Sequence, residues 1–381
     1  MENQKQLDFE SIRPYEDHEI QTVFNRLKKE QSFMKLLGFL YPEQPAEEFM
    51  NRLTAMTSIQ QFQEEVISAY VKKVLEDTTH GVTTNGLERL DPNESYLFIS
   101  NHRDIVLDPA ILNVLMVEKG FNTTEIAIGD NLLIFPWITD LVKLNRTFIV
   151  KRNLPIKQML ESSRTLSAYI RHTITQKHRS IWIAQREGRS KDGNDRTQVS
   201  LLKMLNISGT NALSENFKEL KLVPVSISYE WDPCDYLKAQ EFYDKKVNPD
   251  YVKTQGDDLK NMATGLKGRK GHIHFSFGEP LMDEISSIDA LTVKNNRFSA
   301  LAKIIDKHVH SNYKLWPANY VAWDLLNNKD KYKEQYTEKD KTSFETYIKD
   351  HLARTKGDRD FIYHSLLEMY ANPVTNKLEQ N

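Results

Sequence analysis

Cysteine is almost missing from this chain. Cys234 is the single one in 381 residues, which excludes a disulfide framework and any metal centre built on thiolates. Charge of one sign is also not in excess: the formal net charge is −2, so nothing global points to nucleic acid as a partner. No window approaches eighteen uncharged apolar residues. The richest, Asn131 to Leu144, is too short to span a bilayer and is interrupted by Pro136, Asp140 and Lys143. Contact with a membrane is therefore expected to be peripheral. The first twenty residues have no basic stretch followed by an apolar one, the pattern of a secretory signal, and a cytoplasmic location is expected. There is no Gly-x-Ser-x-Gly elbow for a serine hydrolase, no internal repeat and no low-complexity tract.

What is present is an uneven distribution of charge and texture. Residues 1–90 hold 10 Lys and Arg against 15 Asp and Glu, whereas residues 141–205 hold 14 against 4. A basic middle in a near-neutral chain predicts an anionic ligand or surface met by that segment. The first eighty residues read as helices: Ile20, Val23, Phe24, Leu27, Phe33, Leu36 and Leu37 follow a helical repeat that stops near Pro42, and the last helix ends near Gly81. From Val82 onward, short β-rich runs alternate with helical segments. The runs are SYLFIS, TEIAIG, TFIVKR, SIWIAQ, LVPVSISY and HIHFSFGEP, and the alternation predicts an α/β domain. Residues 155–172 predict a helix with proline near its start, and residues 281–310 and 331–372 predict further helices. The expected organisation is a helical segment 1–81, an α/β domain 82–310 and a helical segment 311–381.

Three stretches carry chemistry. In YLFISNHRDIVLDPAIL, a buried strand ends at Ser100-Asn101-His102, with Asp104 and Asp108 close behind. A histidine so placed can act as a general base whose tautomer is fixed by a carboxylate, and the spacing leaves both Asp104 and Asp108 open as that partner. In NRTFIVKRNLP, a strand runs into Lys151-Arg152 ahead of a helix, a setting in which arginine grips a phosphate. In IWIAQREGRSKDG, another strand opens into Arg186, Glu187, Gly188, Arg189 and Ser190, where arginines can surround an anion and Glu187 can orient one of them. Two histidine pairs, His272-x-His274 and His308-x-His310, have no cysteine or second histidine cluster near them in sequence, and no metal is expected.

Taken in order, these blocks and the LVPVSISYE strand resemble the four motifs of the glycerolipid acyltransferase superfamily, over roughly residues 85–280. Asn101-His102-Arg103 is similar to the histidine block, especially that of the glycerol-3-phosphate branch. Residues 126–152, 186–193 and 222–230 are similar to the second, third and fourth. Two departures stand out: five residues rather than four separate His102 from Asp108, and the third block reads Glu-Gly-Arg-Ser, one residue shorter than the usual pattern. The resemblance implies a mixed α/β sheet flanked by helices, with helical N- and C-terminal extensions. It implies that His102 and Asp108, or alternatively Asp104, are catalytic. It further implies substrate contacts from Arg103, Lys151, Arg152, Arg186, Glu187, Gly188, Arg189 and Ser190. The implied reaction moves a fatty acyl group from a thioester to a hydroxyl of glycerol-3-phosphate, lysophosphatidate or a related lyso-lipid. Acyl-CoA or an acidic acyl carrier protein would be the donor, and no further cofactor is called for. A non-catalytic lipid-binding protein on the same scaffold is the competing expectation. For Phe135, Trp137, Ile138, Leu141 and Leu144, both a membrane-surface helix and core packing fit the pattern.

Overall fold

The computed structural model describes residues 8–152 and 154–379. The first seven residues of the expected N-terminal segment and the last two of the C-terminal one lie outside it, as does Asn153 of the second block. Six of its strands coincide with the six apolar runs: β2 (Leu97–Ser100), β3 (Glu125–Gly129), β4 (Thr147–Val150), β5 (Ile181–Ala184), β6 (Leu222–Tyr229) and β7 (Gly271–Phe277). A seventh, β1 (Thr79–Asn85), was not expected. The helix Ala69–Thr78 stops before it, and its Thr-His-Gly-Val-Thr-Thr sequence is exposed along most of its length, so no apolar run announces it.

The sheet order is β1-β7-β6-β2-β5-β3-β4. β6, β2, β5, β3 and β4 run parallel, while β7 lies antiparallel to β6 and β1 pairs in parallel with β7. Parallel central strands are covered on both faces, and β2 shows this residue by residue. Leu97 and Ile99 enter a core shared with Tyr169, Ile170 and Ile305, while Phe98 enters the opposite one with Ile111, Trp182 and Phe277. Burying one such side chain contributes about 1.5–3 kcal/mol, so a four-residue strand buried on both sides is held firmly in register.

The N-terminal helices form their own core from Phe24, Leu27, Phe49, Leu53 and Phe62, against which the helix Pro136–Leu144 packs through Leu144. Trp137 lies 6.0 Å from Phe33, so most of that helix's apolar face meets protein, while Phe135 at its start stays exposed. At the other end, the helices Pro317–Asn327, Glu338–Leu352 and Arg359–Glu379 share a core with Trp231 and Ala239, continuous with the segment that follows β6. Among the described residues no helix is long and apolar enough to cross a membrane.

Candidate active site

His102 lies two residues beyond the end of β2, on the edge where β6, β2, β5 and β4 all finish, the usual place for a site in an α/β sheet. Asn101 fixes that position. Its side-chain oxygen accepts from the Ile227 amide at 2.7 Å and its amide donates to the Ile227 carbonyl at 2.9 Å, extending the β2–β6 pairing by a side chain. The His102 ring sits edge-on to Trp182, with centroids 5.3 Å apart, and Trp182 Nε1 donates to Ser100 Oγ at 3.0 Å.

The structure brings Asp108, not Asp104, to the His102 ring. His102 Nδ1 is 2.7 Å from Asp108 Oδ2. The same oxygen accepts the backbone amides of Arg103 at 2.5 Å and Asp104 at 3.0 Å. Asp104 instead turns its Oδ1 to the amides of Val106 and Leu107, at 2.9 and 2.8 Å, in the turn that leads into the helix Leu107–Glu118. The additional residue between His102 and Asp108 is taken up in this turn. Burial opposes ionisation of Asp108, yet the hydrogen bond and charge of His102 and the two amides outweigh it and hold the carboxyl below its usual range. Asp104 goes the other way, raised by burial and by the neighbouring Asp108 charge. With Nδ1 bound to a carboxylate, the imidazole carries its proton there and Nε2 is the basic nitrogen.

The strand-end cations converge only in part. Arg152 is half-buried, its amide donating to Asp130 Oδ1 at 3.1 Å and its guanidinium pairing with exposed Glu187 at 3.3 Å. Glu187 thus orients Arg152, rather than either arginine of its own loop. Arg186 is half-buried, and its Nε lacks a hydrogen-bond partner. Gly188 takes a left-handed φ of 68°, a conformation that glycine adopts without strain, and this folds the shortened loop back on itself. Lys151 is exposed beside a cleft of about 480 Å³ of mixed lining, with Ile149, Val150 and Leu154 set among Asp8, Gln158 and Glu161.

Three of the expected contact residues are turned into the protein. Arg103 is buried, its guanidinium held by Asp195 at 2.6 and 2.7 Å and lying over the Tyr313 ring; this commitment, not a free anion grip, is what the fold gives it. Arg189 is buried and donates to Asn261 Oδ1 at 3.0 Å, with one terminal nitrogen left unpartnered. Ser190 is buried, and its amide donates to the His102 carbonyl at 2.9 Å, so the third block braces the histidine loop through backbone. Asp195 and Lys238 were not singled out from sequence. Asp195 also takes a hydrogen bond from Asn101 at 3.3 Å, and Lys238 Nζ donates to the Arg103 carbonyl at 2.9 Å. Asp195 stands only a few residues past the Glu-Gly-Arg-Ser block, but nothing local marks it as the acid that meets Arg103.

Residues 81–228, from β1 to β6, match the family model of acyltransferases. Over this segment the chain is similar to acyltransferases. His102, Asp108, the Arg152 strand end and the Glu187 loop all lie within the matched residues. Among solved structures the chain is similar to the 1-acyl-sn-glycerophosphate (LPA) acyltransferase PlsC from Thermotoga maritima, at 12% identity over 77% of this chain and 92% of that one, with a TM-score of 0.40. No curated protein matches it.

Proposed function

We propose that the chain transfers a fatty acyl group from a thioester, acyl-CoA or acyl carrier protein, to a hydroxyl of glycerol-3-phosphate, lysophosphatidate or a related lyso-lipid. The observation that carries this reading is the 2.7 Å contact between His102 Nδ1 and buried Asp108, within the residues that match the acyltransferase model. His102 Nε2 takes the acceptor's hydroxyl proton as that oxygen attacks the thioester carbonyl. Asp108 stabilises the imidazolium that results. The tetrahedral adduct then expels the thiolate, which recovers the proton, giving an ester and a free thiol. A thioester is already activated, so a base and positioned reactants suffice without a covalent enzyme intermediate.

Arg152 and Arg186, with Lys151 at the rim, hold the acceptor's anionic group, while Arg103, Arg189 and Ser190 keep the histidine loop in place. Ile156, Met159 and Leu160 are exposed at successive turns of the helix Ile156–Thr175, next in sequence to Lys151 and Arg152 and with Lys157 among them. An apolar stripe flanked by cations suits an anionic membrane surface from which a lyso-lipid is drawn. The test is thiol release by purified protein with both donor classes against glycerol-3-phosphate, lysophosphatidate and lyso-aminolipid acceptors. Acceptor-dependent release identifies the reaction and its substrate. Folded protein that binds lipid yet turns over no pair would support the binding-protein reading instead.

A further inference from the structure

The fold brings three metal-ligating side chains together that are far apart in sequence. His80 of β1, Glu230 just after β6 and His272 of β7 place one potential ligand atom each within 4.8 Å of one another. Each is aimed there by a local device. The β1–β7 register slips between Thr79 and Gly81, so His80 is the extra residue of a β-bulge, a feature that redirects a side chain at a sheet edge. Gly271 has a φ of +62°, and a Cβ there would lie 2.3 Å from Glu230 Oε2, so glycine is what lets the carboxylate occupy this corner. Glu230 Oε2 accepts the His272 amide at 2.8 Å, which leaves its other oxygen free of hydrogen bonds among the described residues. The His272 ring is stacked on Trp316, with centroids 5.5 Å apart and planes 18° apart, which limits its rotation.

We propose that His80, Glu230 and His272 bind a transition-metal dication of the Zn²⁺ class. Two imidazoles bound to one tetrahedral ion at about 2.0–2.1 Å have ring centroids about 5 Å apart. The His80 and His272 rings lie 5.4 Å apart at an interplanar angle of 74°, already close to that arrangement. Two imidazoles and a carboxylate are a donor set that selects zinc-like ions over magnesium or calcium, and three protein ligands leave a fourth position for water or a ligand. Two nearby ammonium groups are engaged elsewhere: Lys314 lies over the Trp316 ring at 4.5 Å, and Lys270 donates to Thr78 Oγ1 at 2.9 Å and to the Gly268 carbonyl at 2.7 Å. The ion ties the exposed strand β1 to β7 and to the end of β6, and this role is separate from the chemistry at His102.

The test is calorimetric titration of chelator-treated, full-length protein with Zn²⁺, alongside thermal melts with and without the ion. The expected result is one saturable equivalent and a Zn²⁺-dependent rise in Tm. His80→Ala and Glu230→Gln should each weaken binding roughly tenfold or more and remove the rise, while His308→Ala, whose ring is paired with Glu284, leaves both unchanged. Metal-free circular dichroism and Tm establish that the variants are folded, and exposed His80 is the position least able to disturb folding. Absence of saturable binding in the wild type, or wild-type affinity in both His80→Ala and Glu230→Gln, would overturn the proposal.

Discussion

Asp104 and Asp108 are both buried and only four residues apart, yet their surroundings drive them in opposite directions from a common 3.8. The signs make a prediction. A carboxyl held low contributes stability that is present above its unfolded value and is lost as pH falls through the native one. A carboxyl held high contributes stability that is present below that value and is lost as pH rises. Asp108→Asn should therefore approach the wild type in stability as pH falls below about 4, whereas Asp104→Asn should gain on the wild type as pH rises from about 4 towards 7. Urea denaturation of both variants across that range checks it, and parallel slopes for the two would contradict the opposed environments. The sequence displayed the histidine and both acids but not the choice between them. That choice depends on where the helix begins, and the two amides that donate to Asp104 decide it.

At the scale of elements, the histidine loop is held less by its own strand than by what crosses it. Arg103 and Asp195 form a buried pair that joins the loop after β2 to the loop after β5. Removing one partner leaves an uncompensated buried charge, so Asp195→Ala should cost about 3–5 kcal/mol, while Arg103→Leu with Asp195→Leu should cost much less. Chemical denaturation of the single and double variants measures the difference, and additive losses would contradict it. The strands that carry the site were legible because each is a short apolar run. β1 was not, being exposed and polar, nor were the helices Asp235–Val247 and Gln255–Lys267, whose buried faces are narrow and mixed with charge. The partner of Arg103 is hidden from the sequence for a related reason. A basic residue beside a catalytic-looking histidine reads as a substrate contact, and only the fold supplies the acid 92 positions away.

Across the whole molecule, the C-terminal helices brace the site. Asn372 Nδ2 donates to the Asp192 carbonyl at 2.7 Å, Tyr313 underlies Arg103, and Tyr370 joins Asp235 at 2.7 Å in the segment that also supplies Lys238. The last helix buries Ile362, Leu366, Leu367, Tyr370 and Val374. At about 1.5–3 kcal/mol each, these side chains together match the 5–15 kcal/mol by which whole domains are usually stable. Ending the chain at Asp358 should therefore abolish a cooperative thermal transition, not merely lower activity, and a melt of the truncated protein decides it. Sequence marked 331–372 as helical but gave no hint that this end of the chain reaches back to the site, because such contacts are set by topology rather than by local pattern.

The central claim is that His102, oriented by Asp108, removes the acceptor's proton during acyl transfer. The most direct measurement is steady-state thiol release from the best donor and acceptor pair by wild type, His102→Ala, Asp108→Asn and their combination. The account predicts a loss in kcat of about 10²–10⁴-fold for His102→Ala, a comparable direction for Asp108→Asn, and a double variant little worse than His102→Ala alone, because the two act as a unit. Turnover by folded His102→Ala at the wild-type rate would contradict it.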